Sequence, residues 1–358
     1  MKKFLTLMLV LALALPFGVF AAETYEIAMV TDIGTIDDKS FNQGTWEGIV
    51  EFAEKNGKTY NYYQPTAQST EVYLDMIEQA VNAGAKVVVT PGFLFEQPIF
   101  QAQDMYPDVS FILIDGNPND GDWSKATGPE YRTEKNAVGI VYAEEQAGFL
   151  AGYAAVKDGY TKLGFMGGMA VPAVIRFGYG FVQGAEYAAN ELGIKDLQMN
   201  YHYTGGFEAT PEAQSRAASW YADGIEVIFA CGGAVGNSVM AAAEAADAKV
   251  IGVDVDQSAQ SKKTVITSAT KGLAPSVIQT LTEYYDGNFP GGEALVMDAA
   301  SDGVALPMAT SQFKTFNQAD YDAIFAKLVA HEITLLKDTD IASVTEIPVE
   351  TMTVNEVK

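Results

Sequence analysis

The feature that most constrains the fold is the alternation of short apolar runs with segments of helical periodicity. Most runs are four or five residues long, rich in Val and Ile, and they cover residues 26–30, 86–90, 111–114, 137–141, 163–166, 227–230, 250–253 and 265–267. Apolar residues recur at helical spacing in segments 41–55, 69–83, 144–157, 177–192, 211–222 and 234–246. Continuous apolar strands that alternate with amphipathic helices are typical of parallel sheets covered on both faces. The predicted class is therefore α/β and doubly wound.

Aspartate or glycine follows many of the predicted strands, at Asp32, Gly92, Asp115, Gly167, Gly232 and Asp254. Each position alone is explained by a tight turn from strand to helix. Six such positions in one chain instead favour a shared crevice, because open α/β sheets bind ligands beyond the carboxyl ends of their strands.

The length of the chain predicts two lobes. The chain has 358 residues and is 48% apolar, which is enough for a large core. The apolar runs form one block before about residue 143 and another after it. Two similar lobes with a cleft between them are the simplest interpretation, although the strand pattern does not show where the chain crosses.

Residues 1–21 have the pattern of a secretory signal peptide. Lys2 and Lys3 precede an apolar stretch, and Val19, Phe20 and Ala21 form a small-residue cleavage signal. The stretch is shorter than the roughly 20 residues of a membrane span, and no later segment resembles one. We expect cleavage after Ala21 and an exported protein that does not span the membrane.

Cys231 is the only cysteine in the sequence, and it lies in an apolar run. We expect a buried, inert thiol. No cysteine near residue 21 could accept a lipid, so the expected form diffuses freely in the periplasm.

The formal net charge of −24 argues against nucleic acid as a partner. A surface that is so acidic repels phosphate backbones and anionic lipid head groups.

Candidate catalytic or metal-binding groups are sparse. The two histidines, His202 and His331, lie apart from any cysteine, and a zinc site would need several such ligands. No phosphate-binding GK[ST] loop is present, and the glycines of residues 178–184 fall within a predicted helix, where they indicate close packing or a helix start. We therefore expect no catalytic residue, no metal and no cofactor.

The sequence TDIGTIDDKSFNQ, residues 31–43, is the densest group of polar side chains. Asp37 or Asp38 can cap the helix that begins near Phe41. Asp32 lies at a strand end in apolar surroundings and requires hydrogen bonds. An aromatic ring and an amide, Phe41 and Asn42, describe a slot for a planar polar ring better than a metal site.

These residues resemble the signature of the basic membrane protein family, which are substrate-binding proteins of ABC importers and include the purine nucleoside receptor of spirochaetes. The similarity continues through residues 111–116, 149–153, 164–169, 180–185, 251–257 and 267–271.

The resemblance implies a type I periplasmic-binding-protein fold, in which two Rossmann-like lobes with parallel sheets are joined by three crossovers. The N-terminal lobe would comprise residues 22–143 plus 264–295. The C-terminal lobe would comprise residues 144–263 plus 296–358, the final helical segment included.

The resemblance also implies how a nucleoside would bind. Phe41 would stack on one face of the base and Phe207 on the other, while Asp32 and Asn42 would bond the polar edge. For Phe207, an ordinary loop or core aromatic is the alternative.

Asp115 and Asp254 would bind ribose hydroxyls from opposite lobes, and Gly233 and Lys271 would line the cleft. A carboxylate can accept two hydroxyl protons of a cis-diol, and Lys271 could hold these acids ionised. The alternative for Lys271 is a solvated surface lysine.

The predicted function is therefore delivery of a nucleoside, of the purine class, to permease subunits of an ABC importer by a monomeric protein that is not an enzyme. Three alternatives remain at this point. The same fold could bind a sugar or another small polar ligand, it could serve as a periplasmic sensor subunit, or it could be an enzyme that acts on nucleosides with a carboxylate base.

Overall fold

The computed structural model describes residues 24–357, so the predicted signal peptide of residues 1–21 lies outside the described residues. The strands are β1 (Ile27–Val30), β2 (Tyr60–Tyr63), β3 (Val87–Pro91), β4 (Ser110–Ile114), β5 (Ala137–Tyr142), β6 (Lys162–Gly167), β7 (Leu197–Tyr203), β8 (Val227–Cys231), β9 (Lys249–Asp254), β10 (Val265–Lys271), β11 (Ala294–Met297), β12 (Val304–Ala305) and β13 (Met352–Glu356). The α-helices are α1 (Phe41–Asn56), α2 (Thr70–Asn82), α3 (Glu96–Met105), α4 (Glu144–Lys157), α5 (Pro172–Leu192), α6 (Pro211–Ala222), α7 (Val235–Ala246), α8 (Leu273–Tyr285) and α9 (Gln318–Val329). Within residues 24–357, none of the helices combines the length and apolar character that a membrane crossing requires.

The strands form two separate sheets, each the centre of one lobe. The first sheet has the order β11-β5-β4-β3-β1-β2, and its neighbouring strands are parallel. The second has the order β12-β10-β9-β8-β6-β7-β13 and is parallel except where β12 pairs with β10. The predicted α/β class with two parallel sheets is confirmed.

Helices cover both faces of each sheet, which explains why the central strands are apolar throughout. In β1, Ile27 and Met29 join one buried cluster while Ala28 and Val30 join another. Successive side chains of a strand point to opposite faces, so both faces of this strand must be apolar. The edge strand β2 (sequence YNYY) is only partly buried and lacked the apolar signal.

The second lobe is tied together by unusually close packing of α4 against α5. A Cβ atom at Gly148 would lie 2.1 Å from the backbone oxygen of Phe177, and one at Gly184 would lie 2.0 Å from that of Phe149. Only glycine permits such an approach. The prediction of close packing for the glycines of residues 178–184 is confirmed.

The chain crosses between the sheets three times, between β5 and β6, between β10 and β11, and between β11 and β12. The prediction that residues 264–295 belong to the N-terminal lobe needs correction at its first boundary. β10 instead pairs with β9 in the second sheet, and the chain returns to the first lobe with α8, which packs on α1. A buried parallel strand has the same apolar sequence in either lobe, so the pattern could not distinguish them.

Candidate ligand-binding cleft

The two sheets direct the carboxyl ends of their strands towards a common cavity of about 380 Å³. This volume lies within the range of small-molecule pockets. All eight residues predicted for the site line this cavity: Asp32, Phe41, Asn42, Asp115, Phe207, Gly233, Asp254 and Lys271. Four come from the first lobe and four from the second, so the cavity is an interlobe cleft.

The loop after β1 places Asp32 and Asn42 side by side. Oδ1 of Asp32 accepts hydrogen bonds from the backbone N–H of Gly34 at 2.7 Å and from Nδ2 of Asn42 at 3.1 Å. Burial raises the pKa of Asp32, although both hydrogen bonds act against the shift. Oδ1 of Asn42 is buried without a hydrogen-bond partner among residues 24–357, so a ligand donor can be accommodated there.

Asp38 fixes the start of α1. Its carboxylate accepts from the backbone N–H groups of Ser40 at 2.8 Å, Asn42 at 3.0 Å and Gln43 at 3.1 Å. The predicted capping role is confirmed for Asp38, the second of the two candidates. Because the cap orients the first helical turn, it also positions Phe41 at the cavity.

The two aromatic rings come from different lobes. Phe41 is the first residue of α1, and Phe207 lies in the loop after β7. A Cβ atom at Gly168 would lie 2.6 Å from the Phe207 ring, so a larger residue at this position would displace the ring. The φ of Gly233 is +54°, and this residue lies against Phe207 at the end of β8. The predicted cavity positions of Phe207 and Gly233 therefore agree with the structure.

Asp115 and Asp254 occupy equivalent places in the two lobes. Each follows or ends a central strand, β4 or β9, and each has a positive φ, +60° and +66° respectively. Positive φ is uncommon outside glycine and tends to occur at functional sites. Oδ1 of Asp115 is buried without a hydrogen-bond partner among residues 24–357.

Lys271 lies between these two carboxylates and is buried, with 2% of its side chain exposed. Its Nζ donates to Oδ2 of Asp115 and lies 3.8 Å from Oδ1 of Asp254. Burial alone would lower the pKa of Lys271, but the surrounding carboxylates outweigh it and raise the pKa. The alternative of a solvated surface lysine is therefore wrong.

Sequence reasoning missed two residues at this centre. Ser40 donates to Oδ2 of Asp254 at 2.6 Å, and Oε1 of the buried Glu144 lies 3.3 Å from Nζ of Lys271. An acidic residue at the start of α4 looks like an ordinary helix-dipole partner in the sequence. No local signal reveals that Glu144 faces a lysine 127 positions away.

The remaining candidate groups for chemistry lie elsewhere or are inert. Nδ1 of His202 lies 2.6 Å from the backbone oxygen of Val357, and neither histidine lines the cleft. Cys231 is buried, as predicted, but its side of β8 forms part of the cavity wall. Burial raises its pKa well above the ordinary value, which leaves the thiol protonated and unreactive. Within the described part of the chain, no group of acids, histidines or cysteines is arranged to hold a metal ion.

Comparison with known structures supports the fold. A solute-binding protein of an ABC transporter system from Aeropyrum pernix K1 aligns with a TM-score of 0.75 at 21% identity, over 90% of this chain and 95% of that chain. A second solute-binding protein, from Conexibacter woesei, gives a TM-score of 0.69 at 25% identity, over 87% of this chain and 98% of the other.

Comparison of sequences gives the family. A relative from Lactococcus lactis, described as the ABC transporter nucleoside-binding protein BmpA, is 30% identical over 80% of this chain and 83% of its own length. Basic membrane protein A1 of Borrelia garinii is 29% identical over 88% of this chain and 89% of its own length. Residues 25–337 match the profile of the Bmp family, described as ABC transporter substrate-binding protein PnrA-like.

This match spans both lobes and the whole cleft. Substrate-binding proteins of ABC importers work outside the cytoplasm and pass a small ligand to permease subunits, so their role is binding and not catalysis. From the profile match and the relatives together, the chain belongs to the Bmp family of PnrA-like ABC transporter substrate-binding proteins.

Proposed function

We propose that this protein binds a nucleoside, of the purine class, in the interlobe cleft and delivers it to the permease of an ABC importer. The observation that carries the proposal is a single cleft that is lined by aromatic rings and by carboxylates from both lobes. Phe41 and Phe207 line it together with Asp115, Asp254 and Lys271, and Nζ of Lys271 lies 4.9 Å from the centre of the Phe41 ring. The Lactococcus relative that is described as nucleoside-binding supports the same ligand class.

The base would lie between Phe41 and Phe207. Offset stacking of flat rings adds about 0.5–1.5 kcal/mol per pair beyond the area that is buried. The free Oδ1 of Asn42 can accept an N–H of the base, and Asp32 can accept another or, because its pKa is raised, donate when protonated.

The ribose would lie between the lobes, with its hydroxyls directed at Asp115 and Asp254. Oδ1 of Asp115 is buried and has no hydrogen-bond partner among residues 24–357, so a hydroxyl donor would satisfy it. Hydrogen bonds to a carboxylate are shorter and stronger than those to neutral acceptors. Closure of the lobes would exclude water and strengthen these bonds further.

We further propose that the protein acts as a monomer in the periplasm. The basic and then apolar character of residues 1–21, with the small-residue signal at Ala21, supports export. A ligand that enters between two lobes of one chain requires no second copy.

A thermal-shift panel of nucleosides, free bases and simple sugars tests the proposed ligand class. At about 100 times Kd, a nucleoside should raise the melting temperature by about 5 °C, because it binds only the folded state. Sugars should leave it unchanged. A shift with sugars and none with nucleosides would refute the proposal.

The Phe41→Ala variant provides the matching test of the site. It should lose the nucleoside-induced shift, whereas Phe325→Ala should keep it, since Phe325 is a half-buried ring on α9 outside the cleft. Retention of the full shift in Phe41→Ala would remove this ring from the site.

A further inference from the structure

Glu144 is a buried acid that contacts the cleft residue Lys271 and has no part in the proposed binding scheme. It is the first residue of α4, immediately after the chain leaves the first sheet, and its exposed fraction is 0%. A carboxylate is almost never fully buried without a partner. Lys271 lines the cavity, whereas Glu144 is not among the described lining residues. Glu144 therefore lies behind the lysine as seen from the cleft.

Two cations hold the Glu144 carboxylate. Oε1 accepts from Nζ of Lys271 at 3.3 Å. On the other side, NH1 of Arg176 lies 3.7 Å from Oε2, which has no hydrogen-bond partner among residues 24–357. Arg176 is itself fixed, because its Nε donates to Oδ1 of Asp338 at 2.6 Å.

The ammonium group of Lys271 must therefore divide its N–H donors between the acids that face the cleft, at the front, and Glu144 at the back. It has three N–H groups. One is directed at Glu144 behind it and one at Asp115 at the cavity wall, with Asp254 at 3.8 Å. Without the rear carboxylate, the ammonium would lose the acidic partner behind it and keep only the two acids that face the cleft.

We infer that Glu144 is a positioning residue for ligand binding, which holds Lys271 so that Asp115 and Asp254 keep acceptor atoms free for ligand hydroxyls. The inference rests on the proposed function, because it assigns the hydroxyl end of the ligand to these two carboxylates. Arg176 and Asp338 secure Glu144 from the side away from the cleft. If Glu144 is neutralised, Lys271 moves towards the front acids and occupies the lone pairs that a hydroxyl would use.

Discrimination between ligands separates this role from simple structural support. The binding of a purine nucleoside and of its 2′,3′-dideoxy analogue is measured by titration calorimetry in the wild type, Glu144→Gln and Glu145→Gln. The analogue keeps the base and the 5′-hydroxyl but lacks the 2′- and 3′-hydroxyls. The Glu145→Gln control removes a neighbouring acid of α4 that forms no ion pair with Lys271 within residues 24–357.

Glu144→Gln should weaken nucleoside binding by about tenfold, as expected for the loss of a charge-assisted hydrogen bond, and leave the dideoxy analogue within about twofold. Glu145→Gln should leave both affinities within about twofold. Equal weakening of both ligands in Glu144→Gln would show a merely structural role and overturn the inference, as would an unchanged nucleoside affinity.

If Glu144→Gln does not fold, Glu144→Asp serves for the same comparison, because it keeps the charge but withdraws the carboxylate from Lys271 by one methylene. The ratio of the two affinities should again fall, and an unchanged ratio would overturn the inference. If the wild type binds no nucleoside at all, the proposed function fails. If the wild type and the variant both bind nucleoside and discriminate equally well against the dideoxy analogue, only the inference about Glu144 fails.

Discussion

Ser40 donates a hydrogen bond of 2.6 Å from its Oγ to Oδ2 of Asp254, which joins the start of α1 in the first lobe to the end of β9 in the second. Both residues are buried. Close by, the side chains of Gln257 and Gln260 donate to the backbone oxygen of Lys39 at 2.8 and 3.0 Å. The lobes are thus fastened at the point where Asp254 faces the cleft, so lobe closure and the orientation of this carboxylate are linked.

The Ser40→Ala variant should therefore bind ligand more weakly. The lost hydrogen bond has a charged acceptor, and such bonds contribute about 1.5–3 kcal/mol, so we expect affinity to fall by about tenfold or more. Titration calorimetry with a purine nucleoside measures this change. Thr282→Ala, which removes an exposed hydroxyl on α8, should have no effect, and equal affinities for both variants would contradict the proposed link.

Removal of the Lys271 charge should destabilise the protein strongly. The ammonium lies among Asp115, Glu144 and Asp254, and loss of one partner from a buried ion pair typically costs about 3–5 kcal/mol. Urea unfolding of Lys271→Met should show a reduction of this size. Lys262→Met, at an exposed position, should stay within about 0.5 kcal/mol of the wild type. A loss as small as that of the control would mean that the buried acids do not depend on Lys271.

Through Asp254, a rise in pH should lower the free energy of unfolding and raise the affinity for the ligand. Burial raises the pKa of Asp254 to about 6 from the ordinary value of 3.8, although Lys271 and Ser40 act against the shift. Between about pH 4 and pH 6 the folded chain therefore binds the proton more tightly than the unfolded chain. The contribution of this residue to the free energy of unfolding then falls as pH rises. Ligand affinity should rise over the same range, because deprotonation restores an acceptor.

The Asp254→Asn variant isolates these trends, since Asn also tolerates the φ of +66°. Urea unfolding and titration calorimetry are carried out on both proteins from pH 4.5 to pH 7.5. The difference in stability, wild type minus variant, should decrease as pH rises, and only the wild type should gain affinity through this group. A stability difference that instead increases with pH would show that the pKa of Asp254 is depressed.

A nucleoside 5′-phosphate should bind much more weakly than the nucleoside. Six acidic residues line the cleft, Asp32, Asp37, Asp38, Asp115, Glu208 and Asp254, whereas Lys271 is the single basic residue among the described lining residues. Repulsion between these carboxylates and the phosphate should weaken binding by at least about tenfold. Added salt should reduce the difference between the two affinities. Competition between the two ligands measures the ratio, and equal affinities would show that the acids do not face the 5′ end.

Much of the fold follows from local pattern. Strands such as β3 and β8 are buried on both faces and must be apolar throughout, so the sequence marks them directly. Edge strands, and the sheet that each buried strand joins, are harder to predict from the sequence. β2 lies at an edge, and β10 has the same apolar pattern whichever sheet it joins, so the sequence predicts the wrong lobe for β10.

The residues of the site, too, are only partly predictable from the sequence. Residues at strand ends, such as Asp115 and Asp254, can be predicted because the topology of parallel sheets brings those ends together. Glu144 and Ser40 could not be predicted, because each acts through one partner that is distant in sequence, 127 positions away for Glu144 and 214 for Ser40. The Ser40–Asp254 pair depends on how the two lobes meet, and the Glu144–Lys271 pair depends on how α4 packs beside β10 within the second lobe. Local periodicity carries no information about either arrangement.

Direct titration of the purified protein with a purine nucleoside tests the central claim, that one flat base and its ribose fill the space between the lobes. We expect saturable binding with one ligand per chain, abolished by Phe41→Ala and strongly weakened by Asp115→Asn. If a simple sugar saturates the protein instead, or if the nucleoside binds both variants as tightly as the wild type, the cleft described here is not a nucleoside site.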